Sequence, residues 1–330
     1  MIITFKKDAD PNIVNSIKQM LSEKQLHGFS FGRNLAIVHQ KSIELSEEQR
    51  NSIENINSKD PSYLAISRMF HDSSVVFKLP HSVIGGDKFT IISNSNVIYS
   101  NGQIHRDAIM AHQGDATIIS GNAFSQQMNA YDDKNMNLGE KGLQYLRSAA
   151  DANELDVMSE IDCSDHVNIF SKYVDIIKIG SRNMRNYELI KKVALTGKVV
   201  ALTRAADSSI DEWLNVAEYI AELGNMQIIF VEEGIRTFEN HYVRFTLPLE
   251  TFPILKKLTY YPVFISPSIS SNNYKLVSSL TKGALISGAN GAIVSVGDET
   301  NDHSSITSQE FLEMEQQIKS LISSVSLWKN

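Results

Sequence analysis

The side chains in this sequence best placed to do chemistry sit inside or just after short apolar runs. Lys178 lies between Ile177 and Ile179, and strand alternation puts it on the same side as Gly180 and Arg182. A lysine buried there can lose its proton and form a Schiff base with a carbonyl substrate. The simpler expectation is an ion pair with an acid on a neighbouring strand, Glu160. Arg182 and Arg236 could hold an anion or neutralise Glu160, Glu232 and Glu233, and three carboxylates favour the neutralising role. His81, His105, His112 and His303 show no ligand spacing and no convincing acid partner. Cys163 follows an apolar run by several residues, with nothing to suggest an activated thiolate.

The elements that must position these groups form two textures. Over the first 70 residues, Ile2–Phe5 reads as a strand and the segment after Pro11 as a helix carrying Ile13, Ile17 and Leu21. His27–Phe31 and Leu35–Val38 flank the turn Gly32-Arg33-Asn34 as a hairpin. Ser46-Glu47-Glu48-Gln49 opens a second helix like a capping box, and Tyr63–Phe70 is expected to return as a strand. The order β-α-β-β-α-β is that of a ferredoxin-like module, over residues 1–72.

From residue 73 to 330 buried strands alternate with amphipathic helices. Eight apolar runs appear: Phe89–Ile92, Ala116–Ile119, Leu155–Met158, Ile176–Ile179, Val199–Leu202, Ile228–Val231, Val263–Ile265 and Ala292–Val296. Continuous runs are what strands buried on both faces look like, and Ser209–Leu223 is the clearest intervening helix. Ser308–Ser324 reads as the last one. Eight such units predict a (β/α)8 TIM barrel, an α/β fold, and no glycine-rich fingerprint follows the first run to favour a doubly wound sheet.

Composition narrows the function. Apolar residues make up 42% of 330, enough for a substantial core, and charged residues 21%. A net charge of −7 argues against a nucleic-acid surface. One cysteine excludes an internal disulfide and fits a reduced, cytoplasmic setting. The opening MIITFKKDAD is the reverse of a signal peptide, and no run of about 18 apolar residues predicts a membrane span.

Chemistry in such barrels collects where the strands end. Those positions hold Ser93-Asn94-Ser95-Asn96, Ser120-Gly121-Asn122, Ser159-Glu160, Gly180-Ser181-Arg182-Asn183, Thr203-Arg204, Glu232-Glu233, Ser266-Pro267-Ser268 and Gly297-Asp298. The segments IIKIGSRNMRNYELI (176–190), SSIDEWLNVAEYIAELGN (208–225), EEGIRTFE (232–239) and LGEKGLQYLRSAAD (138–151) resemble the type I 3-deoxy-7-phosphoheptulonate (DAHP) synthases. These enzymes condense phosphoenolpyruvate with erythrose 4-phosphate at the head of aromatic biosynthesis. The resemblance extends to the N-terminal module, which looks like the regulatory domain of one branch, and it implies a homo-oligomer.

The site departs from the family's pattern. The resemblance implies four metal ligands (Cys, His, Glu and Asp), and the matching positions here are Asn96, Ile269, Ser295 and Ile306. Isoleucine cannot ligate, and amide or hydroxyl oxygens are poor substitutes for a thiolate or carboxylate, so no metal or other cofactor is expected. The family's basic motifs match Ile119-Ser120-Gly121-Asn122, Ser125-Gln126-Gln127-Met128-Asn129, Gly180-Ser181-Arg182-Asn183, Thr203-Arg204-Ala205 and Glu232-Glu233-Gly234. Arg182 keeps its basic role, Arg204 stands beside a lost lysine, and Glu233 reverses a charge. Each charge-assisted hydrogen bond to phosphoenolpyruvate is worth about 1.5–3 kcal/mol, so these losses together should abolish binding in the family's mode.

The leading expectation is therefore a DAHP synthase-like pseudoenzyme that binds or regulates, as a homo-oligomer or with an active synthase or pathway enzyme. The pocket candidates are Asn96, Ser120, Glu160, Lys178, Arg182, Arg204, Glu232, Glu233 and Arg236. Two alternatives remain. Asn96 resembles the metal-independent branch of the related 3-deoxy-octulosonate 8-phosphate synthases, which would make the chain a divergent condensing enzyme. The acids could also serve new chemistry on a neutral or cationic ligand.

Overall fold

In a computed structural model, every residue is described except 27, 38–39, 59–62, 72, 125–137, 298–302 and 329–330. The chain divides into two compact units. One comprises Met1–Ser73 with Leu258–Tyr260, the other Ser74–Lys257 with Tyr261–Asn330.

The first unit runs β1 (Ile2–Phe5), α1 (Pro11–Glu23), β2 (Gly28–Phe31), β3 (Asn34–Ile37), α2 (Glu47–Asn51) and β4 (Ile53–Asn57). Its antiparallel sheet has the order β2-β3-β1-β4, a ferredoxin-like arrangement. Alternation along β1 sends Ile3 and Phe5 into a core with Ile17, Leu21, Leu35 and Ile37. Ser46 caps α2 through the reciprocal bond with Gln49. The fourth strand is not Tyr63–Phe70. Strand β4 follows α2 after one residue and takes the free edge of β1, from Ile2↔Asn57 to Phe5↔Ile53. Leu64 and Phe70 instead cluster with Ile2 and Ala36 on the opposite side of the sheet from the Ile3 core, and 68–70 is a short 3-10 turn. Period-two apolar spacing there marks packing across a sheet and not membership in it.

The second unit opens with a hairpin, β5 (Val76–Lys78) and β6 (Val83–Gly85). Eight parallel strands then close into a barrel: β7 (Thr90–Val97), β8 (Ile118–Asn122), β9 (Asp156–Ile161), β10 (Ile176–Ile179), β11 (Val199–Thr203), β12 (Ile228–Glu232), β13 (Val263–Ile265) and β14 (Gly291–Ser295). Between and after them lie α3 (Asn101–Gln113), α4 (Glu140–Asp151), α5 (Val167–Tyr173), α6 (Tyr187–Ala194), α7 (Ile210–Glu222), α8 (Thr251–Leu258), α9 (Pro267–Ser271), α10 (Tyr274–Ser287) and α11 (Ser308–Trp328). Each of the eight apolar runs read from the sequence supplies one barrel strand. Ser209 caps α7 in a second capping box, with Glu212. Among the described residues no helix is long and apolar enough to cross a membrane.

Helix α11 buries an acid. Glu315 is 7% exposed, and burial pushes its carboxyl up to about 7 from an ordinary 4.5, with Asp115 adding to the rise and Lys319 opposing it. The folded chain thus holds a proton there that the unfolded chain has released. Stability should fall as pH rises from about 4.5 to about 7 and level off above. Glu315→Gln should flatten that slope and stabilise the protein at pH 8 by up to about 3 kcal/mol, read by urea unfolding at pH 5 and 8. Equal gain at both pH values would refute this.

Candidate functional site

A cavity of about 490 Å3 opens at the C-terminal ends of the barrel strands. Its walls include Asn96, Asn122, Phe124, Asp162, Arg182, Arg244, Phe245 and Ile269, and Glu160 and Glu233 stand among them.

Lys178 on β10 holds these two acids. Parallel register places it beside Glu160 of β9, and its Nζ lies 2.9 Å from Glu160 Oε2 and 2.8 Å from Glu233 Oε1. The lysine and Glu233 side chains are each 6% exposed, Glu160 32%. Burial pulls the lysine pKa down, but Glu160 and Glu233 outweigh it and hold the ammonium above its ordinary range. Burial raises Glu233, and Lys178 opposes the rise. The expected ion pair with Glu160 is present, and a lysine held as ammonium by two carboxylates has no free lone pair for Schiff-base formation until that clamp opens.

Gly180 leaves room for this clamp. A Cβ there would overlap the Glu160 carboxylate, while the backbone φ of −67° suits any residue. Gly180→Ala should therefore push Glu160 off Lys178 at a cost of about 1–3 kcal/mol in denaturant unfolding. An unchanged midpoint would show that Glu160 moves aside freely.

A second buried pair lies one strand further. Arg204 Nη1 donates to Glu232 Oε2 at 2.9 Å, and its Nε and Nη2 donate to the Ser208 carbonyl at 3.1 and 2.8 Å. Glu232 Oε1 accepts from the Gly234 amide at 2.8 Å. Every arm of this pair is used within the scaffold, and neither residue lines the cavity. Other cations pair with the three acids that Arg182 and Arg236 were expected to neutralise. Lys178 serves Glu160 and Glu233, and Arg204 serves Glu232. Arg236 is exposed and acts on Asp207, because the chain leaves β12 through Gly234 at φ +92° and runs outward. Ser120 is buried within β8 and does not line the cavity.

The four positions that resemblance assigns to a metal behave differently. Asn96, at φ +51°, accepts at Oδ1 from Asn94 Nδ2 (2.6 Å) and Ser295 Oγ (2.9 Å), and its Nδ2 donates to Ser305 Oγ at 3.1 Å. Ile306 is buried as core, its amide donating to the Ser295 carbonyl. Ile269 presents an alkyl side chain to the cavity. One carboxamide and one hydroxyl, already bonded to each other, with two alkyl groups, do not fit a divalent transition metal. Residues 125–129, matched to one of the family's basic motifs, lie outside the described residues.

Arg244 was not anticipated. It follows β12 by a dozen residues and reaches the cavity because Ile235 bridges Thr246, folding the loop back. A methyl at Gly234 would meet Phe245 Cβ at 2.8 Å, so only glycine allows that closure. No local motif marks such a residue; the topological rule about loops after barrel strands is the signal that could have found it. His81, His105, His112 and His303 do not line the cavity. Cys163 is not isolated, since His166 Nδ1 lies 3.3 Å from its Sγ.

The model of a family described as the DAHP synthetase I family matches residues 83–327. The chain is 34% identical over 273 residues to a phospho-2-dehydro-3-deoxyheptonate aldolase of Thermotoga maritima, covering 81% of this chain and 80% of that protein. It is 26% identical over 168 residues to a 2-dehydro-3-deoxyphosphooctonate aldolase of Geotalea uraniireducens, covering 48% of this chain and 61% of that one. A crystal structure of the Thermotoga maritima phospho-2-dehydro-3-deoxyheptonate aldolase (DAHP synthase) superposes with a TM-score of 0.77 at 29% identity, over 98% of this chain and 97% of that one.

Proposed function

Since the chain belongs to the DAHP synthetase I family, we propose that it is a binding or regulatory paralogue that does not condense phosphoenolpyruvate with erythrose 4-phosphate. The observation that carries this reading is the Lys178 clamp. The buried cation beneath the cavity is spent on Glu160 and Glu233, so the cavity presents two carboxylates where a ligand with about three negative charges would have to enter. Among the described residues, Arg182 and Arg244 are the cations on its walls, and Arg244 already acts on Glu233. The donor set at Asn96, Ser295, Ile269 and Ile306 adds no metal to offset that repulsion.

A scaffold retained without its anion grip suits assembly, as a homo-oligomer or with an active synthase or another enzyme of the aromatic pathway. The test is kinetic. Purified chain added to an active synthase from the same cell should co-elute with it and change its rate or its response to aromatic amino acids. Neither effect would count against the regulatory reading.

Asn96 motivates a second reading, a metal-free condensing enzyme acting on phosphoenolpyruvate and an aldose phosphate. Phosphate release from phosphoenolpyruvate across a panel of aldose phosphates would establish it, and none would remove it.

A further inference from the structure

At the end of β9 the chain makes a tight turn that brings three metal-ligating groups together. Asp162, Cys163 and His166 each offer one ligand atom, and these atoms all lie within 4.8 Å of one another. His166 Nδ1 lies 2.6 Å from Asp162 Oδ1 and 3.3 Å from Cys163 Sγ. One ring nitrogen holds at most one proton, so it cannot donate to both partners at full strength, whereas a single cation can be shared by all three.

The surroundings fix these groups. The His166 ring packs on Phe124 with centroids 4.0 Å apart. Asn183 Nδ2 donates to the Ile161 and Asp162 carbonyls at 3.5 and 3.1 Å, pinning the turn from the next barrel loop. The imidazole and carboxylate side chains are 28% and 21% exposed, so both are reachable from solvent. Asp162 also lines the rim cavity.

We propose that Asp162, Cys163 and His166 bind one zinc-like divalent ion at the cavity wall. A thiolate, an imidazole nitrogen and a carboxylate oxygen are a borderline-soft set that selects zinc or cobalt over magnesium or calcium. On binding, the thiol gives up its proton to the buffer, Nδ1 ligates with the ring proton on Nε2, and Asp162 supplies its anionic oxygen. The two anions balance the ion's charge, and water fills the fourth position. This site stands two strands round the barrel from Asn96 and does not depend on whether the chain catalyses anything.

The test uses the full chain, stripped with a chelator and titrated with zinc against a chromophoric competitor, then with cobalt. One equivalent of zinc should bind with Kd of about 1 μM or tighter. The cobalt form should show a thiolate charge-transfer band. Cys163→Ser should abolish that band, and Cys163→Ser and His166→Ala should each weaken zinc binding about 100-fold or more. Asn96→Ala and Ser295→Ala should leave it unchanged, and circular dichroism should show all variants folded. No uptake at about 100 μM zinc, uptake insensitive to Cys163 and His166, or uptake lost with Asn96 and Ser295 would each overturn the proposal.

Discussion

Lys178→Met should destabilise the barrel unit by about 3–5 kcal/mol at pH 8, the range for removing one partner of a buried ion pair. The substitution keeps most of the aliphatic stem but leaves Glu160 and the 6%-exposed Glu233 facing each other without the ammonium they share. The wild-type ammonium stays charged throughout the accessible pH range, because its folded pKa lies above its ordinary 10.5 and its contribution would be lost only as pH passes that higher value. Glu233 runs the other way. Its raised pKa means that ionisation in the fold costs stability as pH rises, and removing Lys178 enlarges that cost. The loss should therefore shrink at pH 5, where the acid can hold a proton, and Glu233→Gln added to Lys178→Met should recover part of it. An equal loss at both pH values would mean that packing, not charge, is what the lysine supplies.

Trp213→Ala should cost about 3–5 kcal/mol in urea unfolding. Trp213 on α7 is fully buried, its ring edge-on to Phe230 of β12 with centroids 4.9 Å apart. Its Nε1 donates to the Leu202 carbonyl of β11 at 3.1 Å. Alanine removes the ring that fills the space between helix and barrel and strips that carbonyl of its indole donor. Trp213→Phe separates the two effects, because it keeps most of the volume and should lose only about 1 kcal/mol more than packing alone explains. A loss below about 1 kcal/mol for Trp213→Ala would mean that α7 closes over the cavity, which close-packed interiors resist.

What the sequence made legible follows from where each signal resides. Ile176–Ile179 and Val199–Thr203 read as strands because burial on both faces leaves a continuous apolar run. Strand β4 did not, because Ile53–Asn57 is an edge strand with mostly exposed side chains and carries no such run. The hairpin β5–β6 is too short to show a period. Lys178 with Glu160 was legible, since parallel neighbours on adjacent strands follow from register. The second partner, Glu233, comes from beyond β12, and no linear pattern pairs it with β10. Arg236 looked suitable by proximity in sequence, but the turn at Gly234 sends it to the surface and brings Arg244 to the cavity. His166 escaped notice for the same reason. A Cys-x-x-His spacing is weak until a 3-10 turn places both side chains, and the preceding Asp162, on one side.

A regulatory paralogue's cavity should no longer accept the family's anionic substrate. Isothermal titration of the purified chain with phosphoenolpyruvate, with and without manganese and beside an active synthase as control, tests this directly. The charge arrangement around Lys178 predicts no detectable heat for this chain in either condition while the control binds. Micromolar binding would contradict that account and would mean that Arg182 and Arg244 form a rebuilt anion site, making the metal-free condensing enzyme the reading to pursue.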